Sequence, residues 1–118
     1  MHHNPAQNTA PIPHINASDF DRAVLQSPTP IVVEFGAPWC APCRAVAPAL
    51  AAACAQTGVG VVSLNVDAAP ALATHFEVRA MPTMIAFWHG APIARFRGAA
   101  SKQARLKWIE RFQQEAAP

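Results

Sequence analysis

Short apolar runs alternate with helix-forming segments along much of this chain. Two runs, Ile31 to Phe35 and Val59 to Val66, are rich in β-branched residues and are typical of buried strands. Between them, strong helix formers extend from Cys40 to about Gln56 and are interrupted by Pro48. Because proline lacks an N–H and crowds the carbonyl four residues back, the pattern predicts a kinked helix, which Gly58 is predicted to stop.

The first thirty residues predict less structure. Residues 1–11 are predicted to form a disordered tail ahead of a single domain over residues 12–118. The adjacent His2 and His3 allow a metal pair, although a plain tail is the simpler interpretation. His14-Ile15 is predicted to be a short edge strand. Ser18, with Asp21 three positions on, is predicted to cap a helix.

The second half predicts a hairpin and a final helix. A short helix over Ala69 to His75 precedes a strand that opens at Met81-Pro82-Thr83. His89-Gly90 predicts a hairpin turn, and the returning strand, Pro92 to Arg97, suits a sheet edge because proline cannot donate to a ladder. Ser101 is predicted to cap an amphipathic helix. Alternation followed by a hairpin predicts an α/β fold, a mixed sheet with helices on both faces.

Composition and charge exclude several classes of protein. The chain has 118 residues, of which 52% are hydrophobic. This length and composition are typical of a single domain with a hydrophobic core. No apolar run approaches the ~20 residues of a membrane helix, and the start lacks the apolar region of a secretory signal, so we expect a cytoplasmic protein. The net charge is only +2, and basic residues concentrate after residue 78 among acidic ones. We therefore expect a solvated face and no nucleic-acid partner.

The chemistry centres on two cysteines at a predicted strand–loop–helix junction. Cys40 falls at a helix N-terminus, where free N–H groups and the macrodipole favour an anion and lower the thiol pKa. Cys43 lies one turn on and is expected to be further inside, hence the poorer nucleophile. Half of a zinc site is the alternative, but no second Cys-x-x-Cys exists, and His75 and His89 are isolated.

Together these features resemble the thioredoxin family over roughly residues 14–115. The resemblance implies the thioredoxin fold, with about five strands flanked by four helices, and the activity of a thiol–disulfide oxidoreductase. Such proteins reduce disulfide-containing proteins and are recharged by thioredoxin reductase, which uses NADPH; no metal or cofactor of their own is expected, and we expect a monomer. The matched features are the strand ending Val-Glu-Phe, Trp39-Cys40-Ala41-Pro42-Cys43, Pro48, Met81-Pro82-Thr83, and Gly90 followed by Gly98.

The resemblance also implies roles for individual residues. Cys40 becomes the nucleophile and Cys43 the resolving thiol, with Pro82 as a cis proline packed against their disulfide. Glu34 matches a buried aspartate that moves the proton of the resolving thiol. The substrate groove is expected to involve Trp39, Ala41, Pro42, Met81, Gly98 and Ala99.

The sequence departs from the family pattern near this site. Glu34 replaces the usual aspartate, Ser63 stands where a lysine often pairs with that carboxylate, Gly36 stands where a tryptophan is common, and Ala41 replaces a glycine. These departures keep an alternative open: a chaperone or assembly subunit that binds partners through the groove without redox chemistry. The third cysteine, Cys54, is expected to be a small buried hydrophobe.

Overall fold

In a computed structural model that describes residues 12–99 and 101–116, five strands form one mixed sheet in the order β1-β3-β2-β4-β5. β1 pairs with β3 and β3 with β2 in parallel, whereas β4 is antiparallel to both β2 and β5. This confirms the predicted mixed sheet. The strands are β1 (His14–Ile15), β2 (Ile31–Gly36), β3 (Gly60–Asn65), β4 (Thr83–Trp88) and β5 (Ala91–Arg97).

Helices cover both faces of this sheet, as predicted. They are α1 (Ala41–Thr57), α2 (Pro70–His75) and α3 (Lys102–Ala116), together with a short helical segment before β2. Neighbouring residues of a strand point to opposite faces, so Val32 packs with the core under α1 and α3, whereas Val33 packs with the core under α2 and the first helical segment. β2 is therefore buried on both sides, which is why it reads as a continuous apolar run.

The first helical segment differs from its prediction. It consists of a 3-10 turn, Ala17–Asp19, followed by a π-helical turn, Asp21–Leu25. The N-cap predicted at Ser18 is wrong, because Asn16 occupies the cap position and its backbone N–H donates to an Asp19 carboxylate oxygen at 3.2 Å. The helix start is set two residues earlier because the chain leaves β1 at Ile15.

The other predicted helix ends are confirmed. Cys40 is the N-cap of α1, Pro48 lies inside that helix, and Gly58 closes it in the left-handed region at φ 74°, which glycine adopts without a Cβ clash. The Ser101 hydroxyl accepts the Ala104 N–H at 3.1 Å and so caps α3.

The remaining predictions concern the edges and ends of the chain. β5 is an edge strand that carries Pro92, and two-residue β1 forms the opposite edge. The tail predicted over residues 1–11, with His2 and His3, lies outside the described residues. Within the described part of the chain, no helix has the length and apolar character needed to cross a membrane.

Candidate active site

The two cysteines of the motif form a disulfide at the start of α1. Their Cα atoms lie 5.3 Å apart, within the ordinary range for a disulfide. Cys40 precedes the first turn, and its Sγ accepts the Cys43 backbone N–H at 3.2 Å. This N–H belongs to the set at a helix N-terminus that has no intrahelical partner. The same N–H and the helix dipole would stabilise a negative charge on Cys40 Sγ once the disulfide is reduced.

The expected difference in depth between the two cysteines is wrong for this disulfide form. Cys40 is 4% exposed and Cys43 is 5% exposed, because they form a buried cluster with Ala37 against which Val66 and Met81 pack. The cysteines differ in their neighbours instead. Cys43 lies against the strand β2: a Cβ placed on Gly36 would lie 3.2 Å from Cys43 Sγ and 3.8 Å from Glu34 Oε1.

Glu34 lies beneath the disulfide in the middle of the sheet. It shares a face of β2 with Val32, the face covered by α1, and is 4% exposed. Desolvation raises the pKa of this carboxyl from 4.5 to about 7, and a hydrogen bond with the Ser63 side chain opposes the rise. The burial is as the resemblance implied, but the absence of a lysine is partly compensated by Ser63, which pairs with Glu34 in register across β2 and β3.

The Met81-Pro82 segment lies on the other side of the disulfide. Its peptide bond is cis, as the resemblance implied, and Pro82 is buried. The Pro82 carbonyl accepts the Gly98 N–H at 2.8 Å, which joins the entry to β4 with the end of β5. Met81 is partly buried and packs against the cysteine cluster, whereas Ala99 is exposed one residue beyond Gly98.

Exposed residues surround the first turn of α1. Ala41 and Pro42 are exposed. Trp39 is the one large hydrophobic residue among the described residues that is exposed, with an exposed fraction of 64%. The Trp39 indole N–H donates to an Asp67 carboxylate oxygen at 2.7 Å, and the Arg44 guanidinium donates to the Pro38 carbonyl.

Sequence reasoning missed Asp67 as part of this site. It follows β3, which runs parallel to β2, and the carboxyl ends of parallel strands meet at one edge of a sheet. The loop after β3 therefore reaches the loop that carries Trp39. The alternation of strands and helices in the sequence, which is typical of parallel strands, was the signal that could have identified Asp67.

The third cysteine stands apart from this chemistry. Cys54 is buried in the core under α1, is not part of a disulfide, and its thiol pKa is raised by burial to about 12. It is a small core residue, as expected. Among the described residues, no group of three or more histidine, cysteine, aspartate or glutamate side chains is placed to hold a metal ion.

Comparisons with known proteins agree with this geometry. The Thioredoxin family model matches residues 11–111. A thioredoxin of Mycolicibacterium smegmatis is 42% identical over 97 residues, which cover 79% of this chain and 87% of that protein. A bifunctional thioredoxin reductase/thioredoxin of Mycobacterium leprae is 38% identical over 86% of this chain and 23% of its own length. A solved structure from work on thiol resolution in yeast mitochondrial 1-Cys peroxiredoxin through the glutathione and thioredoxin systems has a TM-score of 0.73 at 30% identity, covering 85% of this chain and 94% of that one.

Proposed function

Since this chain belongs to the thioredoxin family and is a thiol–disulfide oxidoreductase, we propose that Cys40 is its nucleophile and Cys43 its resolving thiol. The observation that carries the proposal is the Cys43 N–H donated to Cys40 Sγ at the N-terminus of α1. Of the two sulfurs, Cys40 Sγ has the better environment for a thiolate, and the thiolate is the form that attacks disulfides.

The first half of the reaction is attack on a substrate disulfide. The Cys40 thiolate attacks one substrate sulfur, a Cys40–substrate disulfide forms, and the other substrate sulfur leaves as a thiolate that takes a proton from solvent. The helix N-terminus makes Cys40 available for this step because it stabilises the thiolate before attack.

The second half is release, and we assign its proton to Glu34. The Cys43 thiol gives its proton to the Glu34 carboxylate, and the resulting thiolate attacks Cys40 Sγ. The Cys40–Cys43 disulfide forms, and the second substrate sulfur leaves as a thiolate and is protonated. A carboxyl with a pKa of about 7 suits this task, because it is a stronger base than an exposed glutamate and still partly ionised at neutral pH.

The residues around the disulfide provide a place for the substrate chain. Trp39 offers an exposed apolar surface, and Met81 packs against the cysteines beside Pro82. We propose that an extended substrate segment lies along these residues and Ala41, Pro42, Gly98 and Ala99, with its backbone against that of Met81.

Turnover requires a source of two electrons for each cycle. We propose a thioredoxin reductase that draws on NADPH, because a relative from Mycobacterium leprae carries both names in one chain. A dithiol that must return to its reduced form works in a reducing compartment, so we place the protein in the cytoplasm. We propose that it acts as a monomer on disulfide-containing proteins. Cell fractionation tests the cytoplasmic location, and light scattering tests the monomeric state.

The decisive experiment is insulin reduction with dithiothreitol as the electron source. We expect the parent to accelerate precipitation of the insulin B chain, Cys40→Ser to lose this activity, and Cys43→Ser to retain a covalent adduct with insulin on a non-reducing gel. Cys54→Ser is the matched control, since it removes one thiol and leaves the disulfide untouched. Full activity in Cys40→Ser would refute the assigned nucleophile, and a parent without activity that still binds unfolded chains would favour a binding module.

A further inference from the structure

A cavity of about 1070 Å³ lies beside the disulfide and is lined by Cys43 but not by Met81 or Pro82. Residues of β1, β2, β3, α1 and the loop after β3 line it. Its volume slightly exceeds the usual range for small-molecule sites, about 300–1,000 Å³. Protein interiors are otherwise close-packed, so a lined space of this size has room for a ligand.

The walls of the cavity are mostly apolar, whereas polar side chains lie at its inner end. Exposed residues, among them His14 and Pro38, form the rim, so the cavity opens to solvent. Glu34, Cys43 and Ser63 line it beneath the disulfide. On the face of the sheet that carries Glu34, the apolar walls include Ile12, Ala47 and Ala51.

Small residues create the space beside Glu34. Gly36 lines the cavity with its backbone alone. Ser63, opposite Glu34 on β3, extends only as far as its hydroxyl. The side chains of Ala47 and Ala51 on α1 are equally short.

Glu34 provides the chemical preference of this cavity. Its Oε2 has no hydrogen-bond partner among the described residues. The terminal torsion of a glutamate is broad, so a small rotation presents either oxygen to the cavity. A buried carboxylate without a cationic partner is costly, and a charge-assisted N–H donor is its strongest complement.

The other charged groups of the cavity lie at the rim. Arg44 on α1 and His14 on β1 are both exposed, and the Arg44 guanidinium donates to the Pro38 carbonyl. Cys43 is held in the disulfide and carries no charge. At the inner end, Glu34 is therefore the charged group, and the complementary ligand is positive.

From the cavity, its apolar walls and the unpartnered Glu34 oxygen, we propose that this protein binds a small organic cation with an apolar body. The cationic N–H head contacts the Glu34 carboxylate, and the body lies against Ile12, Ala47 and Ala51. This is a ligand site distinct from the substrate groove, and it requires no turnover of the disulfide.

Benzamidine is the probe, because its planar cation matches a carboxylate and its ring matches the apolar walls. An NMR titration of the oxidised full chain is expected to give saturable one-to-one binding, with the amide shifts of Gly36, Ser63 and Leu64 moving together. Benzamide has the same shape without the charge and is expected to bind at least tenfold more weakly. Equal affinities for the two, or no saturable shift, would overturn the proposal.

Two variants localise the binding to Glu34. Glu34→Gln is expected to weaken benzamidine at least tenfold. Ser63→Lys introduces a cation opposite Glu34 and is expected to abolish binding, whereas Gln103→Lys adds the same charge on the exposed side of α3 and is expected to change nothing. If Glu34→Gln fails to fold, Ser63→Lys decides; unchanged affinity in a folded Ser63→Lys contradicts the proposal.

The pH dependence provides a further readout. Benzamidine keeps its charge between about pH 5 and 8, and its affinity is expected to fall several-fold as pH is lowered through the Glu34 pKa of about 7. A histidine, His14, lies at the rim of the cavity, so the titration is repeated in His14→Gln. A pH dependence that disappears in His14→Gln would assign the effect to the rim and contradict binding at Glu34.

Discussion

Replacing Glu34 by glutamine is expected to change how the stability of the protein depends on pH. In the native state desolvation raises the pKa of Glu34 to about 7, from its ordinary value of 4.5. Between these two values the native state holds a proton that the unfolded state has released. Raising the pH through this interval therefore lowers the free energy of unfolding. Above the interval, Glu34 causes no further loss of stability.

The magnitude follows from the size of the shift. One pKa unit corresponds to about 1.4 kcal/mol, so the rise to about 7 costs the native state about 3 kcal/mol once Glu34 is fully ionised. Glu34 is 4% exposed, so solvent screens little of this cost. A difference of about 3 kcal/mol is a large part of the stability of a single domain.

Urea melts of the oxidised parent and of Glu34→Gln across about pH 4 to 9 measure the effect. From pH 4 to 8 the difference in unfolding free energy is expected to move by about 3 kcal/mol in favour of the variant, or roughly 1 M or more in urea midpoint. All other titratable groups are the same in both proteins, so the difference isolates Glu34. Glu110→Gln, on the exposed side of α3, is the matched control and is expected to run parallel to the parent. A parent–variant difference that is constant with pH would show that Glu34 is ionised at no cost, and its role as proton acceptor would fall with it.

Three further outcomes are expected. Leu50→Ala removes a fully buried side chain from the core under α1 and should lower the unfolding free energy by ~2–5 kcal/mol in a urea melt, whereas Ala45→Gly, on the exposed side of the helix, should cost about 1 kcal/mol. Pro82→Ala should slow insulin reduction several-fold, and an unchanged rate would show that Pro82 is not part of the active site. Peptide mapping after mild oxidation should find Cys40 linked to Cys43 and Cys54 free, since its thiol is buried; a bridge to Cys54 would contradict the position of that residue in α1.

Much of the fold could be predicted because its signals are local. The apolar run of β2 and the strong helix formers of α1 each lie within one segment, and Gly58 ends α1 where a left-handed residue is required. The cap of the first helical segment could not be chosen in this way. Asn16 and Ser18 are both good caps, and the choice depends on where β1 releases the chain.

The site likewise has features that the sequence predicts and features that it does not. The Cys40–Cys43 pair and the burial of Glu34 were predictable, since a charged residue inside an apolar strand is rarely exposed. The equal exposure of the two cysteines was not, because Ala37, Val66 and Met81 reach them from different parts of the chain. The cavity beside the disulfide was not predictable either, since it arises from small residues on separate strands and on α1.

The two edges of the sheet have a consequence for self-association. A sheet edge with free N–H and C=O groups is a template for a strand of another molecule, and short edge strands, prolines and positive side chains prevent this. Here one edge, β1, has only two residues, and the other, β5, carries Pro92, Arg95 and Arg97. Among the described residues, neither edge offers a long, flat, unprotected ladder to a second copy. A protein that acts on disulfide-bonded chains can therefore present an apolar surface around Trp39 without adding those chains, or its own copies, to its sheet and starting aggregation.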